Sequence, residues 1–269
     1  MGKSFPTRAF ALPSVLLAAI YFAVPINAAD REQPRISAIQ RNVNLVASDH
    51  PTRPASVNDA IVDGTAVATG TDSRAEVALG NGVIVRLSSN ALFNFKRKRL
   101  EIQKGAMLVE VPRGVKARAD ASGVAADISD ATAVLENQGE LFKFLVIEGS
   151  SRLHRSGHLG DSVVVAPGQM VFGSVKSALS DPVDFEIARF VKTCPLVQGF
   201  APLPSDRSIG QASNDQLRLK SKKRLIDTNL VIFGGGSTVS IVDPLKATST
   251  ARSAEAVPAK PAESEQVRQ

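Results

Sequence analysis

The chain of 269 residues contains no tryptophan, one tyrosine and one cysteine. A lone cysteine, Cys194, excludes an intramolecular disulfide, so stability has to come from a packed core. Cys194 is expected to be a small buried residue at a helix end rather than a redox centre. The tyrosine, Tyr21, falls in an apolar N-terminal run, which leaves phenylalanine as the aromatic of everything after it. Sites that stack sugars or single-stranded nucleic acid use tryptophan and tyrosine, whose polar edges also hydrogen-bond. The composition argues against both.

A large excess of one charge is also lacking. Lysine and arginine number 32 against 26 acidic residues, and setting aside the N-terminal Lys3 and Arg8 leaves a net charge of +4. The excess is spread along the chain, which is not the footprint of a nucleic-acid binder. A basic run at Arg218, Lys220, Lys222, Lys223 and Arg224 reads as a solvated linker rather than a contact for phosphate or anionic lipid. Beyond the N-terminal run, no apolar stretch is long enough to cross a bilayer.

What is present begins with that run. Lys3 and Arg8 precede apolar residues from Ala9 to Val24, followed by Pro25 and then Ile26-Asn27-Ala28-Ala29. A positive start, an apolar stretch of about 16 residues, a helix breaker and small residues at a cut site make a secretory signal peptide over residues 1–28, cleaved after Ala28. No cysteine stands at the cut, so a lipoprotein is not expected. The expected location is the periplasm or cell envelope, with no stable membrane span after cleavage. An uncleaved segment would instead leave an anchor.

Residues 29–57 are polar, carry Pro34, Pro51 and Pro54, and read as a leader with one irregular strand at Val43–Ala47. Over residues 58–173 the pattern becomes short alternating apolar segments separated by Gly, Asn and Asp, the pattern of an all-β sandwich or barrel. The clearest hairpin spans Ala75 to Leu87, with Asn81-Gly82 supplying positive φ angles at its turn. Further strands are expected at 91–95, 99–103, 106–111, 115–119, 124–129, 132–136, 141–148, 150–154, 162–165 and 170–172, with Gly105 in a turn. Residues 174–204 hold a helix of about three turns, started by Ser180-Asp181-Pro182, ended by Pro195 and packed on the sheet. Residues 205–246 read as a loose extension with a strand pair around Gly234-Gly235-Gly236, and residues 247–269 as a disordered tail.

Chemistry is hard to find in this pattern. His154 and His158 are four apart, as metal ligands on a helix would be, but they flank Gly157 between strand-like runs and read as solvated turn residues, as does His50. Gly234-Gly235-Gly236-Ser237-Thr238 lacks the lysine of a phosphate loop, and no nucleophile elbow or acid pair stands out. No catalytic, metal or cofactor site is assigned, and no enzyme is expected.

Several short motifs, taken in order, suggest a family. They are Gly64, Thr69-Gly70 before Ser73-Arg74-Ala75, Gly80-Asn81-Gly82 and Val85-Arg86-Leu87. Then come Leu100-Glu101-Ile102, Lys104-Gly105, Leu108-Val109-Glu110-Val111, Val146-Ile147-Glu148-Gly149 and Ala166-Pro167-Gly168-Gln169. Together they make residues 63–172 resemble the FecR-like domain of bacterial envelope proteins. The family's Thr-Pro pair and later Gly-Thr are replaced here by Ala121-Ser122-Gly123 and Asp130-Ala131-Thr132. The resemblance implies a jelly-roll-like β domain on the periplasmic side. It also implies, in the family's best-known role, relay of a receptor's signal to a sigma factor through a cytoplasmic part. Only about eight residues precede the apolar run, too few for a domain that holds a sigma factor.

The function expected from these readings is therefore a stand-alone, non-enzymatic interaction or sensing module. Its partner would be another cell-envelope protein rather than nucleic acid, and strand addition at a sheet edge is one means of contact. The alternatives are a glycan- or peptidoglycan-binding module, which the missing Trp and Tyr disfavour, and a sigma-factor relay if the N-terminal segment is an uncleaved anchor. An envelope hydrolase ranks last. The oligomeric state does not follow from the sequence.

Overall fold

The computed structural model describes residues 33–47 and 51–221. The signal segment, His50, the late strand pair and the tail lie outside the described residues. Within them the fold is all-β and jelly-roll-like, with helices confined to the C-terminal part.

The segment read as a leader contributes three strands, β1 (Arg35–Gln40), β2 (Val43–Ala47) and β3 (Arg53–Pro54). Ile36, Val43 and Leu45 enter the core, and the Ile36 amide donates to the Asp59 carbonyl at 3.0 Å. Alternation exposed only β2, because β1 buries a single apolar side chain fully and β3 is two residues long. β4 (Thr65–Thr69) is followed by the expected hairpin of β5 (Arg74–Ala78) and β6 (Ile84–Leu87), with Val77 opposite Val85. At its turn Gly82 takes positive φ, +85°, whereas Asn81 accepts the Val83 amide through Oδ1 at 3.3 Å.

The largest departure from the sequence pattern lies in the middle. β7 (Leu92–Lys96) leads into β8 (Arg99–Ala121), β9 (Val124–Gln138) and β10 (Leu141–Arg155), and these three long strands absorb seven of the shorter ones expected. Gly105 is not in a turn. It lies inside β8 at φ +84°, where a Cβ would meet the Ala91 Cα at 2.8 Å, so it is a bend that requires glycine. The other breaks are bulges. In β9 the inward residues are Val124, Ala126 and Ile128 before Asp130 (φ +51°), and Ala131, Ala133 and Leu135 after it. One extra residue has changed the phase, so both halves face the same core. Gly149 (φ +75°) does the same in β10, between Val146 and Leu153.

β11 (Ser162–Val165), β12 (Gln169–Ser174) and β13 (Val183–Asp184) complete the sheet, whose strand order is β13-β12-β10-β9-β8-β7-β4-β2-β3. β6, β5 and β1 branch from β8, and β11 from β10. The strands at the two ends of the order have two residues each, and Pro54 of β3 has no amide hydrogen, so these edges are blunted against further pairing.

The C-terminal part also differs from expectation. Ser180-Asp181-Pro182 introduces β13 rather than a helix, and α1 (Ile187–Thr193) has about two turns. Pro195 ends α1 and opens α2 (Pro195–Gln198), since proline suits a first helical position and no interior one. Residues expected to be loose form α3 (Asp206–Ser221), a 16-residue helix. Its surface is polar, which hid it from a search for apolar periodicity. Gln216 pins it instead, accepting the Ile187 amide at 2.9 Å and donating to the Phe185 carbonyl at 2.5 Å. Asp206 in its first turn and Arg218 and Lys220 in its last suit the helix dipole.

One large core fills the interior of the folded sheet. A second lies on the outer face, where Leu108, Val134, Leu145 and Ile147 pack against Phe185, Ile187, Phe190, Leu196 and Ile209. The helices thus form a cap over β8, β9 and β10.

Candidate functional site

Antiparallel register aligns the cap-facing residues in rows. Glu76, Arg86, Leu108, Val134, Leu145 and Met170 make a central row, polar at one end and apolar at the other. Beside it runs Glu110–Thr132–Glu148, and on the other side Ala106–Glu136–Lys143. Charged residues are therefore carried on a face that the helices bury.

Arg86 is 1% exposed. Its Nε donates to Glu76 Oε2 at 2.9 Å, Nη1 to the Leu196 and Val197 carbonyls at 3.1 and 3.4 Å, and Nη2 to the Ala201 carbonyl at 2.5 Å. The Phe200 ring stacks 5.0 Å from its Cζ. One guanidinium thus satisfies the C-terminal carbonyls of α2, which have no partner inside so short a helix. Nearby, Gln40 of β1 donates to the Gly199 carbonyl and accepts from Arg74 at 3.2 Å.

Thr132 Oγ1 lies 2.8 Å from Glu148 Oε1 and 2.9 Å from Ser205 Oγ. Burial pushes the Glu110 carboxyl above its ordinary range, opposed by the Ser205 hydroxyl and amide and by Arg86. Glu148 is pushed up by burial too, with Asp130 adding to the effect and the Thr132 hydroxyl resisting it. On the third row Lys143 Nζ sits 2.5 Å from Glu136 Oε2, both almost wholly buried. Burial draws the Lys143 ammonium down, and Glu136 resists. Cys194 is buried between α1 and α2, where loss of solvent raises its thiol and keeps it protonated. Arg86 and Ser205 join the cap to the sheet, whereas Lys143–Glu136 and Thr132–Glu148 bond between neighbouring strands beneath it.

The same outward alternation continues past the bulges, uncovered. Lys116 stands opposite Ser129, which faces Ser150 on its other side, and Arg118 stands opposite Asp127, which faces Arg152. Together with Lys98 these residues line an open groove of about 580 Å³. Arg118 pairs with Asp120 at 3.3 Å and more loosely with Asp127 at 3.9 Å.

His154 lies on β10, 3.7 Å from Asp127, and His158 Nδ1 lies 3.1 Å from the Ser156 carbonyl in the next turn, so the two do not converge. Among the described residues no group of three His, Cys, Asp or Glu side chains is placed to hold a metal.

Sequence reasoning missed two features. Arg86 and Glu110 were legible only as strand residues, because a charge alternating with apolar residues reads as a solvated face. The run Lys96-Arg97-Lys98-Arg99 is plain in the sequence, yet an argument from overall charge passes over it. The residues that carry the family resemblance have structural duties. Gly149 packs against Asp130 where any Cβ would collide, and Gln169 Oε1 accepts the Ala166 amide at 3.1 Å.

No family model and no curated protein matches the chain. Two solved structures are similar to it, both described as a "putative anti-sigma factor from Parabacteroides distasonis ATCC 8503". The first has a TM-score of 0.40 and 10% identity, covering 74% of this chain and 95% of that one. The second has a TM-score of 0.39 and 10% identity, covering 70% and 90%.

Proposed function

We propose that the protein is an exported, FecR-like interaction or sensing module of the cell envelope that acts without catalysis. The observation that carries this reading is the cap: a helical layer held on one sheet face by Arg86, which donates to carbonyls of the cap, and by Ser205, which meets Thr132 and Glu110. Such a construction responds to a partner by gaining or losing docked surface, and its buried groups are engaged with each other rather than aimed at a substrate. The signal-like N-terminus supports export.

Fractionation with N-terminal sequencing tests the location. A mature chain starting at Ala29 in the periplasmic fraction is expected. An intact Met1 in the membrane fraction would replace the released module with a tethered one and return a sigma-factor relay to consideration. Mild crosslinking followed by pull-down from envelope extract tests the role. The expected result is one specific envelope protein, retrieved by the wild type and lost with Arg86→Ala. Salt-resistant co-sedimentation with purified peptidoglycan, without a protein partner, would favour a glycan-binding module.

A further inference from the structure

The groove at the far end of β8, β9 and β10 is lined by four cations, Lys98, Lys116, Arg118 and Arg152, against one carboxylate, Asp127. Arg118 is paired with Asp120 at 3.3 Å outside the lining, Asp127 lies near Arg118 and His154, and neither Lys98 nor Lys116 has a carboxylate partner among the described residues. Ser129 and Ser150 add exposed hydroxyls between the cations. Lys98 and Lys116 also border a second hollow next to Asn81 and Phe95, so the positive wall continues past the first.

The turn that delivers Lys98 is unusual. Lys96 pairs with Arg99 across a two-residue hairpin loop, and both loop residues are left-handed, Arg97 at φ +50° and Lys98 at φ +62°. Such turns favour Asn and Gly, which adopt that conformation with little strain. Here two long cations occupy it, with the Arg97 amide held by Asp63 Oδ1 at 3.4 Å. The chain has accepted local strain and mutual repulsion among four consecutive cations at the lip of the groove, a combination expected where a ligand compensates for it.

We propose that this groove binds a small, multiply charged anion of the phosphate class. Guanidinium forks and lysine ammonium groups match phosphate oxygens, and serine hydroxyls supply neutral donors. The volume suits a small molecule rather than a polymer. The absence of Trp and Tyr does not weaken this, since phosphate recognition needs charge and donors and not a stacking surface. The inference is independent of the envelope role and is read on purified protein.

The test is calorimetric titration with inorganic pyrophosphate at low ionic strength. One-to-one saturable binding is expected, weakening as sodium chloride is raised. The double variant Lys98→Gln/Lys116→Gln should lose affinity by about tenfold or more, the scale of a lost charge-assisted contact. Lys176→Gln, which removes a lysine paired with Glu140 at 2.6 Å at the other end of the β9–β10 hairpin, should bind as the wild type does. Flotation with phosphatidylglycerol vesicles separates a free anion from a lipid headgroup. Pyrophosphate binding without flotation supports the small-anion site. Flotation without pyrophosphate binding overturns it, as does absence of saturable binding or an affinity unchanged in the double variant.

Discussion

The two halves of β8, β9 and β10 carry charged residues on the same outward face with opposite outcomes. In the half under the helices, Glu110, Glu136 and Lys143 are buried and Glu148 half-buried, with Arg86 of the adjoining β6 buried beside them, and they bond to one another, to neighbouring strands or to the cap. In the half beyond the bulges, Lys116, Arg118, Asp127 and Arg152 stand beside an open groove. The alternation of the sequence is the same in both. What differs is whether another layer lies above, and with it the cost of each charge. A covered charge has to be matched within the fold, whereas an uncovered one is free for something outside it.

Mutations should separate the halves clearly. The largest effect is expected at Arg86, where Arg86→Ala leaves the carbonyls of α2 and Glu76 Oε2 without their charged donor. A loss of about 3–5 kcal/mol in urea unfolding is expected, the range for breaking a buried charge network. Lys143→Met and Glu136→Gln should each cost a similar about 3–5 kcal/mol, whereas Lys143→Met with Glu136→Leu should recover most of the loss, because an apolar pair carries no desolvation penalty. Equal costs for the single and double variants would show that packing, not the ion pair, dominates. Gln216→Leu comes next, at about 2 kcal/mol, since it leaves the Ile187 amide and the Phe185 carbonyl unpaired in the interior.

A smaller effect carries a distinctive sign. Glu110 and Glu148 are held above their ordinary value of 4.5 chiefly by burial. Between the ordinary and the raised value the folded chain binds more protons than the unfolded one, so stability falls as pH rises through that window and is regained on acidification. Besides burial, Ser205, Arg86 and Glu148 act on Glu110, and Thr132 and Asp130 on Glu148. Glu110→Gln should flatten this dependence and gain up to about 1 kcal/mol at neutral pH. A loss there would show that Arg86 needs the negative charge. Smallest of all, Lys98→Gln and Lys116→Gln should change stability by less than about 0.5 kcal/mol, as exposed sites do. Substitution in the groove is thus silent in folding and visible only in binding.

The fold class was legible because short apolar-alternating segments such as Ala75–Leu87, bounded by Gly, Asn and Asp, recur along residues 58–173. The true lengths of β8, β9 and β10 were not, since Gly105, Asp130 and Gly149 look like turn residues, and only tertiary contact decides between a turn and a bulge. α3 was hidden for another reason. Its docking rests on Ile209, Ala212 and one polar residue, Gln216, so it has almost no apolar stripe to detect. The seam was half visible: Glu110 and Glu148 lay in the motifs that suggested a family, but the cap over this face is supplied by residues 73 to 115 positions further on.

Hydrogen exchange on wild type and Arg86→Met tests most directly whether buried charge fastens the cap. Faster exchange is predicted in α2, α3 and the segment around Ala201, with protection retained at the Val109, Ala133 and Phe144 amides of the inner core. Uniform loss across the sheet, or unchanged protection in the cap, would contradict the account.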